Sequence, residues 1–164
     1  MLLLYLFYFV LAMLLHELGH LFVARVCQVP AHELGLGWGK QLCQFRLGSV
    51  VYKLRALPIG AYVRLDMAVL QQRPLDQQVF VLLAGIIVNL IAAAVTAGTM
   101  FSLMNLLLAT TNLLPLYQQD GWKCGIVILR ALLRRKSALV EWTFTLTGGG
   151  LSLMLFAVFA LRYL

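Results

Sequence analysis

Charge is what this sequence has least of. Only 13 of its 164 residues are Lys or Arg and 6 are Asp or Glu, 12% in all, against about a quarter in an ordinary soluble domain. Together with 62% hydrophobic residues and a mean hydropathy of +0.90, that scarcity excludes a soluble globular domain and places the chain in a bilayer. Cysteine is equally sparse. Cys27, Cys43 and Cys124 are odd in number and lack C-x-x-C spacing, which argues against a disulfide framework or a thiolate metal site and leaves them as free thiols. A basic start is missing too, and the first apolar run is too long for a secretion signal, so it reads as a membrane span rather than a leader. Between Met1 and Val26 the ionisable side chains are Tyr5, Tyr8, His16, Glu17, His20 and Arg25, a short enough roster that each demands a reason.

Three of them form one pattern. His16-Glu17-Leu18-Gly19-His20 is an H-E-x-x-H motif inside an apolar helix. Four residues make a little over one helical turn, so both histidines lie on one face about 6 Å apart along the axis, close enough for two imidazoles to hold one zinc ion. Glu17 falls on the flank of that face, where a carboxylate can accept a proton from a water activated by the metal. A glutamate within a membrane span is costly, and function is its ordinary justification. With the helix starting near Leu2, His16 is about 21 Å along it, in the far third of the hydrocarbon layer and close to one face.

Beyond Val26 the character changes. From Ala31 to Leu65 charges, glycines and aromatics appear; Gln44–Leu47 and Val50–Arg55 alternate like strands, with turn signals at Gly35-Leu36-Gly37, Gly48-Ser49 and Pro58-Ile59-Gly60. Three or four short strands lying at the membrane surface are expected. Asp66–Asp76 reads as a polar linker, with Pro74 suited to a helix start. The second span carries Gly85 and Asn89 on one face, a small-plus-polar pattern that lets membrane helices pack closely, and Asn89 taken alone is an interhelical hydrogen bonder. A tight reversal at Gly98-Thr99 leads to a third apolar helix that Pro115 must disrupt. The polar stretch Leu116-Tyr117-Gln118-Gln119-Asp120-Gly121 then sits at membrane depth, where irregular backbone is tolerated only inside protein or along a wet cavity. Asp120 is therefore the natural third metal ligand, although it also suits the N-cap of the next helix. A basic interfacial helix and a last apolar helix containing Gly148-Gly149-Gly150 follow.

The cations fix an expected topology. Seven flank or fill the first connection (Arg25, Lys40, Arg46, Lys53, Arg55, Arg64, Arg73) and five the third (Lys123, Arg130, Arg134, Arg135, Lys136), while Arg162 alone lies at the other end. Twelve on one side place that side, and the metal motif near it, in the cytosol, with both termini outside. The net charge of +7 is thereby accounted for by topology and anionic lipid, not nucleic acid.

These motifs resemble those of the site-2 protease family of intramembrane zinc metalloproteases, and they run through nearly the whole chain. His16–His20 resembles its H-E-x-x-H helix; Asn112-Leu113-Leu114-Pro115 followed by Asp120-Gly121 resembles its N-x-x-P-x-x-x-L-D-G motif; Leu57–Val63 is similar to the P-x-G-G-Y-V end of its membrane-associated β-loop; and Ala84-Gly85 with Asn89 is similar to its A-G-P-x-x-N helix. The resemblance implies that His16, His20 and Asp120 ligate zinc, that Glu17 is the general base, and that Asn112 holds substrate backbone or the developing oxyanion. Gln119, Ile86 and Ala61 depart from the pattern at a leucine, a proline and a glycine, which bears on substrate fit more than on chemistry.

The expectation is an α-helical polytopic membrane protein of about four transmembrane helices, with a small membrane-associated β-sheet between helices 1 and 2. A single domain over 1–164 would comprise helix 1 at 2–26, the β-loop at 31–65, helix 2 at 76–97, helix 3 at 100–115, an interfacial helix at 122–136 and helix 4 at 140–163. Its expected activity is zinc-dependent endoproteolysis, with one zinc per chain, of a transmembrane segment of a membrane protein or peptide precursor near the cytosolic face. Asn112, Asn89, Gly60, Ala61 and Tyr62 are the expected substrate-binding residues. The plasma (inner) membrane of a prokaryote is the expected location, and an accessory membrane protein would stand in for the PDZ domain that many relatives carry. The competing class is an inactive helix-binding or metal-carrying membrane protein; a carrier does not need Glu17, and an inactive relative is expected to lose one of the four site residues.

Overall fold

The apolar run at the N-terminus forms one helix, α1 (Leu2–Val26), in the computed structural model of the chain, which describes residues 1–133 and 138–163. Most of its buried positions, Ala12, His16, Gly19, His20, Val23 and Ala24, recur at spacings of three and four, the signature of one helical face turned inward. Leu2 and Leu3 at its start are about 80% exposed, as suits a surface meeting lipid rather than water. Together with α3 (Leu75–Val95), it is one of two helices long and apolar enough to cross a membrane among the described residues.

Between these helices lies a two-stranded antiparallel sheet, β1 (Ala31–Leu47) and β2 (Val50–Leu65). Its register doubles back. Leu34 is paired with both Val63 and Tyr52, and Gly35 with both Tyr62 and Lys53, so the start of β1 is flanked on both edges while its later half pairs with Val50–Arg55 alone. The three or four short strands expected from the turn signals are thus two long, bent ones. Gly37 (φ +91°) and Gly60 (φ +94°) do not end strands; they take the positive φ of bulges inside them. Only Gly48 (φ +62°) makes a true hairpin turn. Leu21 of α1 closes a small core with Ala31, Leu34 and Val50, which docks the near half of the sheet on the helix. The far half exposes Trp38, Leu42 and Phe45.

The linker expected over Asp66–Asp76 holds a helical turn, α2 (Met67–Leu70), because the Asp66 carboxylate accepts from the Ala68 and Val69 amides at 3.0 and 3.1 Å. Leu70 then enters a core with Val23, Ala24, Val29, Val81, Leu82, Ala84, Cys124 and Val127. α4 (Met100–Leu113), capped by Thr99, ends two residues before Pro115, with Leu114 extended at ψ 143°, as a residue preceding proline must be. At 14 residues it is about 21 Å long, short of the hydrocarbon thickness. After the irregular segment 114–119, α5 (Asp120–Leu133) begins at Asp120 itself rather than at Trp122, and α6 (Ala138–Tyr163) follows. Arg134, Arg135 and Lys136, expected at the end of the interfacial helix, lie outside the described residues.

Candidate metal centre

His16 and His20 project from the buried face of α1 with their rings edge to face and 4.8 Å apart. Two backbones must come close to put anything against them, and small residues permit it. A Cβ on Gly19 would stand 2.9 Å from the Ala84 carbonyl oxygen, and one on Gly85 would stand 2.6 Å from Nε2 of both histidines. The α1–α3 contact is therefore built from glycine where the imidazoles lie. From the other side, a Cβ on Gly121 would collide with the Leu113 carbonyl, so α5 starts hard against the end of α4 and brings Asp120 inward.

The result is a converging set of donors. Asp120 Oδ2 lies 2.8 Å from His16 Nε2 and 3.0 Å from His20 Nε2, and the two Nε2 atoms are 3.2 Å apart. All three residues are buried, at 5–6% exposure. Two imidazole nitrogens and a carboxylate oxygen around a tetrahedral zinc, each about 2.0–2.1 Å from it, would be about 3.3 Å from one another, so the donor set fits that ion with tenths of an ångström of adjustment. Two of the three donors are also oriented from behind, while His16 Nδ1 has no hydrogen-bond partner among the described residues. The His20 Nδ1–H donates to the Val81 carbonyl at 2.7 Å, which directs Nε2 at the centre. Lys123 Nζ donates to Asp120 Oδ1 at 2.9 Å, leaving Oδ2 for the histidines. Glu17 stands beside the cluster, half-buried, on the wall of a cavity of about 680 Å³ that the three donors also line.

The match to known sequences fits this geometry. The sequence model of peptidase family M50 matches residues 4–102, which contain the H-E-x-x-H helix, the sheet and α3. The chain belongs to peptidase family M50. Proteins named as candidate zinc metalloproteases are 34% identical to it over 90 residues in Clostridium acetobutylicum, 34% over 98 in Synechocystis and 44% over 50 in Helicobacter pylori. These matches cover 50%, 51% and 30% of this chain. The matched part spans about a quarter of the Clostridium and Synechocystis proteins, 26% and 27%, and 14% of the Helicobacter one.

Of the other residues singled out from sequence, Gly60, Ala61, Tyr62 and Asn112 line the same cavity, Asn112 with its Nδ2 donating to the Leu108 carbonyl at 3.0 Å. Asn89 is elsewhere: it is fully buried, its side-chain oxygen and nitrogen have no hydrogen-bond partner among the described residues, and it does not line the cavity. Sequence reasoning missed the direct contact of Gly85 with the imidazoles, the Val81 carbonyl and Lys123. Gly85 carried a signal, as the small residue of a packing face, but nothing local says which helix it meets.

Proposed function

We propose that the chain is a zinc-dependent endopeptidase that cleaves a transmembrane segment of a membrane protein or peptide precursor near the cytosolic face. The observation that carries this reading is the meeting of His16 and His20 with Asp120, 104 and 100 positions further along the chain, beside a Glu17 that makes no hydrogen bond among the described residues, on one cavity wall. Three protein ligands would leave one position of a bound zinc open, as in catalytic rather than structural sites. Zinc held by His16, His20 and Asp120, one per chain, would supply a Lewis acid that lowers the pKa of water and polarises a carbonyl.

The protein's own side chains do the rest. Glu17 takes the proton from the attacking water and returns it to the leaving amine. Asn112, on the cavity wall, is placed to donate to the scissile carbonyl oxygen as charge develops there. Membrane helices hide their carbonyls, so the substrate has to unwind locally before attack. Segment 61–65 of β2 pairs on one edge only, with 31–36, and it lines the cavity, so its outer edge is available to an extended peptide by strand addition.

In this reading α1, α3, α4 with the segment after it, and α6 make four crossings of a prokaryotic plasma membrane, with both termini outside and the cation-rich connections and zinc site toward the cytosol. An accessory membrane protein completes substrate selection. The decisive test is Glu17→Gln in purified protein: zinc content should stay at about one per chain while cleavage of a single-span substrate stops, since the proton acceptor is gone and the ligands are not. Cleavage that survives this change would assign the base elsewhere.

A further inference from the structure

Gln118 and Gln119 put two primary amides on the wall of the cavity, and the chemistry above leaves both unused. Their main chain is committed: the Gln119 amide donates to the Leu116 carbonyl at 3.0 Å, and its own carbonyl accepts from the Lys123 amide at 3.1 Å. Gln118 is held at φ +69°, the left-handed region that a residue of its type rarely occupies. Their side chains are uncommitted. Among the described residues neither carboxamide makes a hydrogen bond, although Gln119 is half-buried. A primary amide offers donors and an acceptor on one planar group, the complement of a peptide unit.

The rest of the wall gives that complement a purpose. A peptide added to the free edge of segment 61–65 bonds to it through alternate residues only, and the groups in between point the other way. In water those groups would be solvated; in a cleft at membrane depth they are costly to leave bare. Resting on the protease reading, we infer that Gln118 and Gln119 bind the second edge of the substrate's main chain, so that the cavity clamps an unwound, extended segment from both sides. The substrate class this selects is defined by backbone exposure: segments that readily leave the helix, whatever their apolar side chains.

The test uses a single-span model peptide of leucine and alanine, interrupted near its cytosolic end by Gly and Asn, in detergent or vesicles. Gln119→Leu, which keeps bulk and removes the amide, should raise KM about five- to tenfold, the loss of one neutral hydrogen bond, with kcat within about twofold. Gln118→Gly removes the other amide where the backbone favours glycine, and KM should move the same way. Crosslinking supplies a readout without catalysis. In a Glu17→Gln protein with Cys27→Ser, Cys43→Ser and Cys124→Ala, a thiol placed by Gln119→Cys should capture cysteines at every second substrate position, as an extended chain requires. Unchanged KM in both variants, or capture at no position or at spacings of three and four, overturns the clamp. Should Gln119→Leu lose zinc, the crosslinking pattern decides alone. A zinc-loaded parent that cleaves nothing counts against the protease reading instead, and the crosslinking pattern still decides the clamp.

Discussion

Histidine and aspartate are expensive in a membrane, and here Asp120 and His20 are each offset by specific neighbours. Asp120 has Lys123 on one oxygen and two imidazoles on the other, and His20 has the Val81 carbonyl behind it. The spacing of His16 and His20 was legible because four residues of helix fix it. Asp120 was legible because a proline and a polar run at membrane depth have to be explained. Gly85 was not legible as part of the centre, since its importance lies in what another helix sets against it. Gly85→Ala should therefore impair the metal site rather than the fold: its Cβ would lie 2.6 Å from both Nε2 atoms, and relieving that overlap costs about 1–3 kcal/mol. Zinc affinity measured by chelator competition should fall about tenfold or more. An unchanged affinity would mean that α3 withdraws from α1 without moving the imidazoles.

Among the elements, the sheet departs furthest from its sequence pattern, and a buried ionic network explains how its bent strands hold together. Glu33 on β1 is buried; Lys53 Nζ donates to it at 2.6 Å, the Tyr62 hydroxyl donates to its other oxygen, and Arg55 donates to that hydroxyl at 3.1 Å. A Cβ on Gly35 would run into the Tyr62 ring, so glycine there gives the ring its place. The Lys53 ammonium, and after it the Tyr62 hydroxyl, hold the Glu33 carboxyl below the ordinary carboxylate range. A depressed carboxyl pKa stabilises the fold above the unfolded value, about pH 4.3, and that contribution drains away as pH falls through the lower folded value. Glu33→Gln should accordingly cost about 1–3 kcal/mol at pH 7. The gap between parent and variant, followed by thermal unfolding in detergent, should narrow below about pH 4. A gap independent of pH would mean that the network contributes nothing through its charge.

At the scale of the whole molecule, the proposed topology puts the sheet and twelve of the thirteen cations in the sequence toward the same side as the zinc donors, so a substrate helix needs least movement if its scissile region lies near that boundary. Mass spectrometry of the products should place the cut in the cytosolic half of the substrate's span, and a cut in the outer half would overturn the proposed topology. The sequence by itself determined the membrane setting, the helix face bearing His16 and His20, and the break that frees Asp120. These follow from hydropathy, helical period and the chemistry of proline, all of which act within a few residues. Only the tertiary structure decided that Asp120 reaches His16 across 104 positions of sequence, that glycines let α1, α3 and α5 close around the centre, and that β1 pairs twice with β2. Those outcomes depend on how closely two backbones approach, a quantity set jointly by side chains that are distant along the chain.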